Sequence, residues 1–94
     1  MGSRHGLPDL RLMTRLLGHH PQIEVDLDAH GRPWRLRWEG GSEAVEVSNR
    51  WRVEEAWWRR PVSRDYYKLY GQSLLALVYL DRVDGTWHLE RVYD

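Results

Sequence analysis

Ninety-four residues suit one domain, and a chain this short buries only about 60–65% of its unfolded surface, so its core must be thin. Six Trp and five Tyr, with no Phe, can fill such a core with few side chains, each ring burying about 150–250 Å². The absence of Cys excludes disulfides, iron–sulfur clusters and thiolate zinc sites and suits a reducing cytoplasm, and a formal net charge of zero argues against a purely electrostatic grip on nucleic acid. There is no secretory apolar region and no long apolar span, so membrane insertion is not expected.

Met1 to Gly6 reads as a frayed tail. From Pro8 to Leu17 the residues Leu10, Met13, Leu16 and Leu17 fall on one helical face, with Gly18 as a stop and Pro21 preventing continuation. A helix so short is marginal alone and must dock, on this domain, on a partner or on a second copy as a homodimer. Residues 1–22 therefore form a tail and short helix, and residues 23–94 a single antiparallel β domain.

Ile23 to Asp28 alternates apolar with acidic residues, and Pro33 to Trp38 alternates Trp34, Leu36 and Trp38 with Arg35 and Arg37. With turn residues Ala29 to Arg32 between them, they predict a hairpin whose wet face sets acids against arginines. Gly40 to Ser42 turns the chain, and Ala44 to Val53 predicts a third strand with Val45 and Val47 inward and a bulge near Ser48 and Asn49. Arg59 to Ser63 reads as a loop in which Pro61 breaks the ladder. Asp65 to Tyr70 is a fourth strand. Leu74 to Leu80 is apolar on both parities and predicts a central strand. An Asp-Gly turn at Asp84 and Gly85 leads to a last strand over Thr86 to Tyr93. The expected fold is mainly β with one N-terminal helix: about six strands in a strongly bent antiparallel sheet or small open barrel of SH3-like type. Strict alternation puts Trp34, Leu36, Trp38, Val45, Val47, Leu75, Leu77, Trp87 and Leu89 in the core.

Charge is uneven along the chain. Residues 23–49 carry a net −3, whereas residues 50–70 carry a net +3 from Arg50, Arg52, Arg59, Arg60, Arg64 and Lys68 against Glu54, Glu55 and Asp65. The basic stretch holds Trp51, Trp57, Trp58, Tyr66 and Tyr67. Rings beside guanidiniums suit two kinds of recognition: stacking of single-stranded bases with phosphate contacts, or the Trp, Tyr and Arg anchors of a protein interface. The candidate binding residues are Arg52, Trp57, Trp58, Arg59, Arg60, Arg64, Tyr66 and Tyr67. Since strand side chains alternate, one ring of each adjacent pair should face out.

Enzymatic chemistry has little support. No Ser/His/Asp order, phosphate-cradling glycine loop or metalloprotease motif is present, and Glu54 and Glu55 point to opposite faces of a strand. His19 and His20 are adjacent, with His30 and His88 distant in sequence, so no metal site and no cofactor are expected.

The series Trp51-Arg52, Trp57-Trp58, Arg64-Asp65-Tyr66, Tyr79-Leu80-Asp81, Gly85-Thr86-Trp87 and Val92-Tyr93-Asp94 resembles a small domain of unknown function found beside bacterial error-prone polymerase genes. It is also similar to the extreme C-terminal region of the Y-family-like subunit of bacterial mutasomes. The likeness covers about residues 49–94 and departs at Leu80, where that pattern carries Arg; these 94 residues include no polymerase domain. The resemblance implies a link to DNA-damage tolerance and no known activity. The expectation is a non-enzymatic, cytoplasmic protein-interaction module accessory to DNA repair or translesion synthesis, its partner a polymerase-associated subunit. The alternative is single-stranded nucleic-acid binding through Trp and Tyr stacking with Arg contacts.

Overall fold

The computed structural model describes residues 20–56 and 61–93. Six strands follow one another: β1 (Gln22–Leu27), β2 (Pro33–Trp38), β3 (Gly41–Ala56), β4 (Pro61–Gly71), β5 (Leu75–Asp81) and β6 (Thr86–Tyr93). Each pairs antiparallel with the next, and β1 pairs with β6 through Gln22 with His88 and Ile23 with Trp87. The amide of Leu89 adds a bond to the Pro21 carbonyl at 2.9 Å. The sheet thus closes on itself, where an open barrel was expected, and its strands run in simple up-and-down order. The expected N-terminal helix lies outside the described residues. Among the described residues no helix is long and apolar enough to cross a membrane.

Local chemistry accounts for the turns. Asp28 accepts the amides of His30 and Arg32 at 2.8 and 2.9 Å, and Gly31 takes the left-handed conformation, φ 77°, that its missing Cβ permits. Asp84 and Gly85 do the same work before β6, with Asp84 accepting the Thr86 amide and Gly85 at φ 79°. On the wet face of the first hairpin Asp26 receives Arg35 at 2.7 Å and Arg37 at 2.9 Å, and Arg37 also reaches Glu24 at 2.8 Å. This is the predicted set of acids against arginines. The predicted bulge in β3 falls between Val47 and Asn49.

The barrel interior is filled by Ile23, Leu36, Val45, Tyr67, Leu69, Ala76, Val78 and Leu89, with Val25, Trp38, Val47, Leu74, Trp87 and Val92 packed against them. Two expected core residues are corrected. Trp34 is 44% exposed, at the start of β2 where the β1–β2 register shifts and the pairing with β3 has not begun, and Leu75 is 36% exposed. Leu75 fails because β5 is apolar on both parities, so alternation cannot reveal its inward face. Register does: Val78 opposes Tyr67 and Ala76 opposes Leu69, which turns Ala76 and Val78 inward and Leu75, Leu77 and Tyr79 outward. Leu77 is nevertheless buried, on that outer side.

The segment before β4 is also corrected. The β3–β4 ladder continues through Glu54 with Ser63 to Ala56 with Pro61, so residues 61–63 are strand and not loop. Pro61 is tolerated as a strand's first residue, where no ladder donor is needed. β2 opposes β3 only from Gly41 to Ala44. From Val45 to Ala56, among the described residues, β3 has β4 on one side and no strand on the other.

Candidate functional site: an aromatic row with an open end

Side chains directly opposite one another on antiparallel strands come within about 4.5–5.5 Å at Cβ, so a ring at one position is placed against its cross-strand partner. Four strands here carry rings in one register. Trp51 opposes Tyr66, Tyr66 opposes Tyr79, and Tyr79 opposes His88. The centroid separations are 5.4, 5.2 and 5.2 Å, with interplanar angles of 4°, 45° and 23°. The result is a continuous row across β3, β4, β5 and β6 on the outside of the barrel.

Burial is graded along the row. Tyr79 is 4% exposed, sealed by the His20 ring edge-on at 5.6 Å and by Arg64, whose guanidinium lies 4.5 Å above its ring. His20 Nδ1 and the Tyr79 hydroxyl are 3.0 Å apart. Arg64 also donates to the Tyr66 hydroxyl at 3.1 Å. Trp51, at the β3 end, is 39% exposed. Its near face stacks on Tyr66, and no described strand lies beyond it.

Burial sets the proton affinities of the row. Desolvation raises the Tyr66 and Tyr79 hydroxyls above the ordinary tyrosine value, with Arg64 partly opposing this. The Arg64 guanidinium is held further into its charged range, chiefly by its hydrogen bond to Tyr66. These tyrosines are neutral donors and acceptors at physiological pH.

The charges around the row are mixed. Register places Arg64, Lys68 and Arg91 on its face, and none forms an ion pair with a described carboxylate. Lys68 and Arg91 instead lie over the Tyr93 ring at 5.1 and 5.9 Å. Asp81 opposes Arg64 on the neighbouring strand, and Glu90 is close enough to raise the hydroxyls of both Tyr66 and Tyr79.

The residues singled out from sequence separate as follows. Tyr66 and Arg64 belong to the row. Tyr67 is 5% exposed and turned into the barrel, so the surface is carried by Tyr66 alone of that pair. Arg50 rests over Tyr67 from the inward side of the β3–β4 ribbon, its guanidinium 5.6 Å from the ring. Arg52 is engaged by Asp65, Nε to Oδ1 at 2.7 Å. Trp57, Trp58, Arg59 and Arg60 lie outside the described residues. Sequence reasoning missed Trp51, Tyr79 and His88. The signal for them was hairpin arithmetic: Trp51 and Tyr66 are equally far from the last pair of their ladder, Ala56 with Pro61, as are Tyr66 and Tyr79 from Tyr70 with Leu75, and Tyr79 and His88 from Asp81 with Thr86. It becomes readable only once strand ends are known.

One further cluster could hold a cation. Ligand atoms of Asp81, Asp84 and His88 lie within 4.8 Å of one another at the β5–β6 turn. Thr86 ties two of them: its hydroxyl lies 2.5 Å from Asp84 and 2.8 Å from His88 Nε2. Elsewhere an open cleft of about 580 Å³ is bordered by Ile23, Glu24, Arg37 and Trp38.

Comparison with family models, with curated proteins and with solved structures finds no match for the chain.

Proposed function

We propose that the protein is a non-enzymatic interaction module that recognises a partner protein through the open end of the aromatic row, with Trp51 and Tyr66 as the contact rings and Arg64 as their polar neighbour. The observation that carries this reading is the exposed Trp51, held in place by a stack that runs back into a sealed Tyr79. A ring fixed from behind loses little conformational freedom on binding, and Trp, Tyr and Arg are the side chains that dominate interface energetics. The interspersed Asp81 and Glu90 favour a protein surface over a polyanion, whose phosphates they would repel. The resemblance of residues 49–94 supports a setting in DNA-damage tolerance, with a polymerase-associated subunit as partner.

Single-stranded nucleic acid is the second reading. Arg64, Lys68 and Arg91 favour it, since all three sit beside rings without a described carboxylate partner. A photo-crosslinking residue at Asn49, beside Trp51, tests the two in extract of the source cells. The expected result is a discrete protein adduct, competed by excess native protein and not by its Trp51→Ala variant. No protein adduct, together with oligonucleotide quenching of Trp fluorescence that collapses between low and moderate salt, would overturn the protein reading in favour of the second.

A further inference from the structure

A strand edge with no neighbour presents backbone amides and carbonyls at alternate residues, ready for another strand. In this protein that edge is long and lies beside the aromatic row. From Val45 to Ala56, β3 pairs with β4 on one side and with no described strand on the other. Ring order and strand order coincide: β6, β5, β4 and β3 carry His88, Tyr79, Tyr66 and Trp51, and the row stops where the sheet stops. A strand added to β3 would place one of its own side chains opposite Trp51.

Which side chains that strand must carry follows from the groups on β3. Trp51 offers its far ring face on the outer side. On the inner side the charged candidates are Arg50, Arg52 and Glu54. Arg52 is taken by Asp65, and Glu54 by Arg82 at 2.9 Å. Arg50 is exposed, rests over Tyr67, and has no ion pair with a described carboxylate. The free determinants are therefore a ring face and a guanidinium on adjacent residues, pointing to opposite sides. A second copy of this chain paired through Trp51 does not supply their complement. An antiparallel pairing centred on Trp51 with its copy would set Arg50 against Arg52 on both sides of the axis, and like charges directly opposite are destabilising.

We infer that the edge of β3 from Val45 to Ala56, beside which no strand lies among the described residues, takes up an extended segment of a partner protein as an added strand, with an aromatic side chain stacked on Trp51 and an adjacent carboxylate side chain facing Arg50. This mode of recognition rests on the protein-interaction reading above. Backbone pairing along β3 supplies affinity, and the two side-chain pairings supply register and choice of partner.

The test uses the full chain and a short blocked peptide that alternates glutamate with tyrosine and valine. Binding is followed by amide hydrogen exchange and by chemical shifts of the Trp indoles. The expected result is binding that newly protects amides between Val45 and Ala56 and moves the Trp51 indole. Trp51→Ala should weaken it about tenfold, as should Arg50→Glu, and a lysine-for-glutamate peptide should recover binding to Arg50→Glu. A peptide N-methylated at alternate residues, which cannot pair along the edge, should bind at least tenfold more weakly. Two results would overturn the strand-addition proposal: equal binding of the methylated peptide, or protection confined to residues outside β3. So would no binding at millimolar peptide. None of these touches the interaction reading itself, which stands or falls on the crosslinking from Asn49.

Discussion

Arg52 forks onto Asp65 across the β3–β4 ladder, Nε to Oδ1 at 2.7 Å and a terminal nitrogen to Oδ2 at 3.3 Å, and the carboxylate is only 6% exposed. Asp65 shares the inward parity of Tyr67 and Leu69, so without Arg52 a nearly dry charge would be left, among the described residues, with Arg82 Nε 3.9 Å away. The hydrogen bond in turn holds the Arg52 guanidinium further into its charged range. Arg52→Ala is therefore expected to lower the urea midpoint, although half the Arg52 side chain is wet. Replacing both partners, Arg52→Met with Asp65→Leu, should recover part of that loss, because no buried charge then remains. A neutral Arg52→Ala would show that Arg82 or water already suffices for Asp65. Arg52 is thus a structural tie beside the candidate surface.

That outcome bears on what could be read from sequence. The charge pairing of the first hairpin was legible, since Ile23 to Asp28 and Pro33 to Trp38 alternate and their charges match across the strands, whereas the exposure of Leu27 and Trp34, where the β1–β2 register shifts, was not. The bulge between Val47 and Asn49 puts Trp51 and Val53, which share the odd phase of Val45 and Val47, on the opposite face from them, and alternation alone would have kept all four on one face. The inward face of β5 was not legible, because Leu74 to Leu80 offers apolar residues to both sides. Nor was the aromatic row. A row is a property of four registers at once, and each depends on where a turn begins. Local density of Trp and Arg drew attention to the β3–β4 hairpin, yet it marked Tyr67 and Arg52 equally with Tyr66. Pairing partners alone distinguish core, tie and surface among them.

Gly71, opposite Val45, is tightly constrained by the β3–β4 register. A Cβ there would meet the Glu43 carboxylate and, at 2.7 Å, the Ala44 carbonyl oxygen. The Glu43 carboxylate is itself committed to Ser73, accepting its amide at 2.9 Å and its hydroxyl at 2.6 Å. Backbone cannot withdraw as a long side chain can, so Gly71→Ala should cost about 1–3 kcal/mol as overpacking does. Gln72→Ala, one exposed position later, should stay within about 0.5 kcal/mol. Parallel thermal melts would separate them, and equal melting would refute the steric argument.

Stability and recognition should come apart at Trp51 and Leu69. Leu69 is fully buried, and Leu69→Ala should cost about 2–5 kcal/mol. Trp51 lends the fold mainly its stack on Tyr66, so Trp51→Ala should cost about 0.5–1.5 kcal/mol beyond the change in buried area. A folded Trp51→Ala variant with loss of partner adducts is the pattern of a recognition residue. If it unfolds with Leu69→Ala, the ring is structural and the candidate site is misplaced.

Asp26 provides the acid dependence. Hydrogen bonds from Arg35 and then Arg37 hold its carboxyl below the ordinary aspartate value, outweighing the opposing effect of burial. A group with a depressed folded value binds its proton more readily in the unfolded chain. Its contribution is therefore fully present above the unfolded value of about 3.9, and it is lost as pH falls through the folded one. The native protein should exceed Asp26→Asn in stability by a constant margin from neutral pH down to about pH 5, with the margin closing at more acid pH. Arg35 and Arg37 are each about two-fifths exposed, so molar salt should narrow the neutral-pH margin without abolishing it. Urea midpoints of the two proteins across pH, at low and high salt, measure both effects. A margin that persists unchanged below about pH 3 would mean that Asn at position 26 disturbs packing, and that the charge of Asp26 is not what β1 and β2 use.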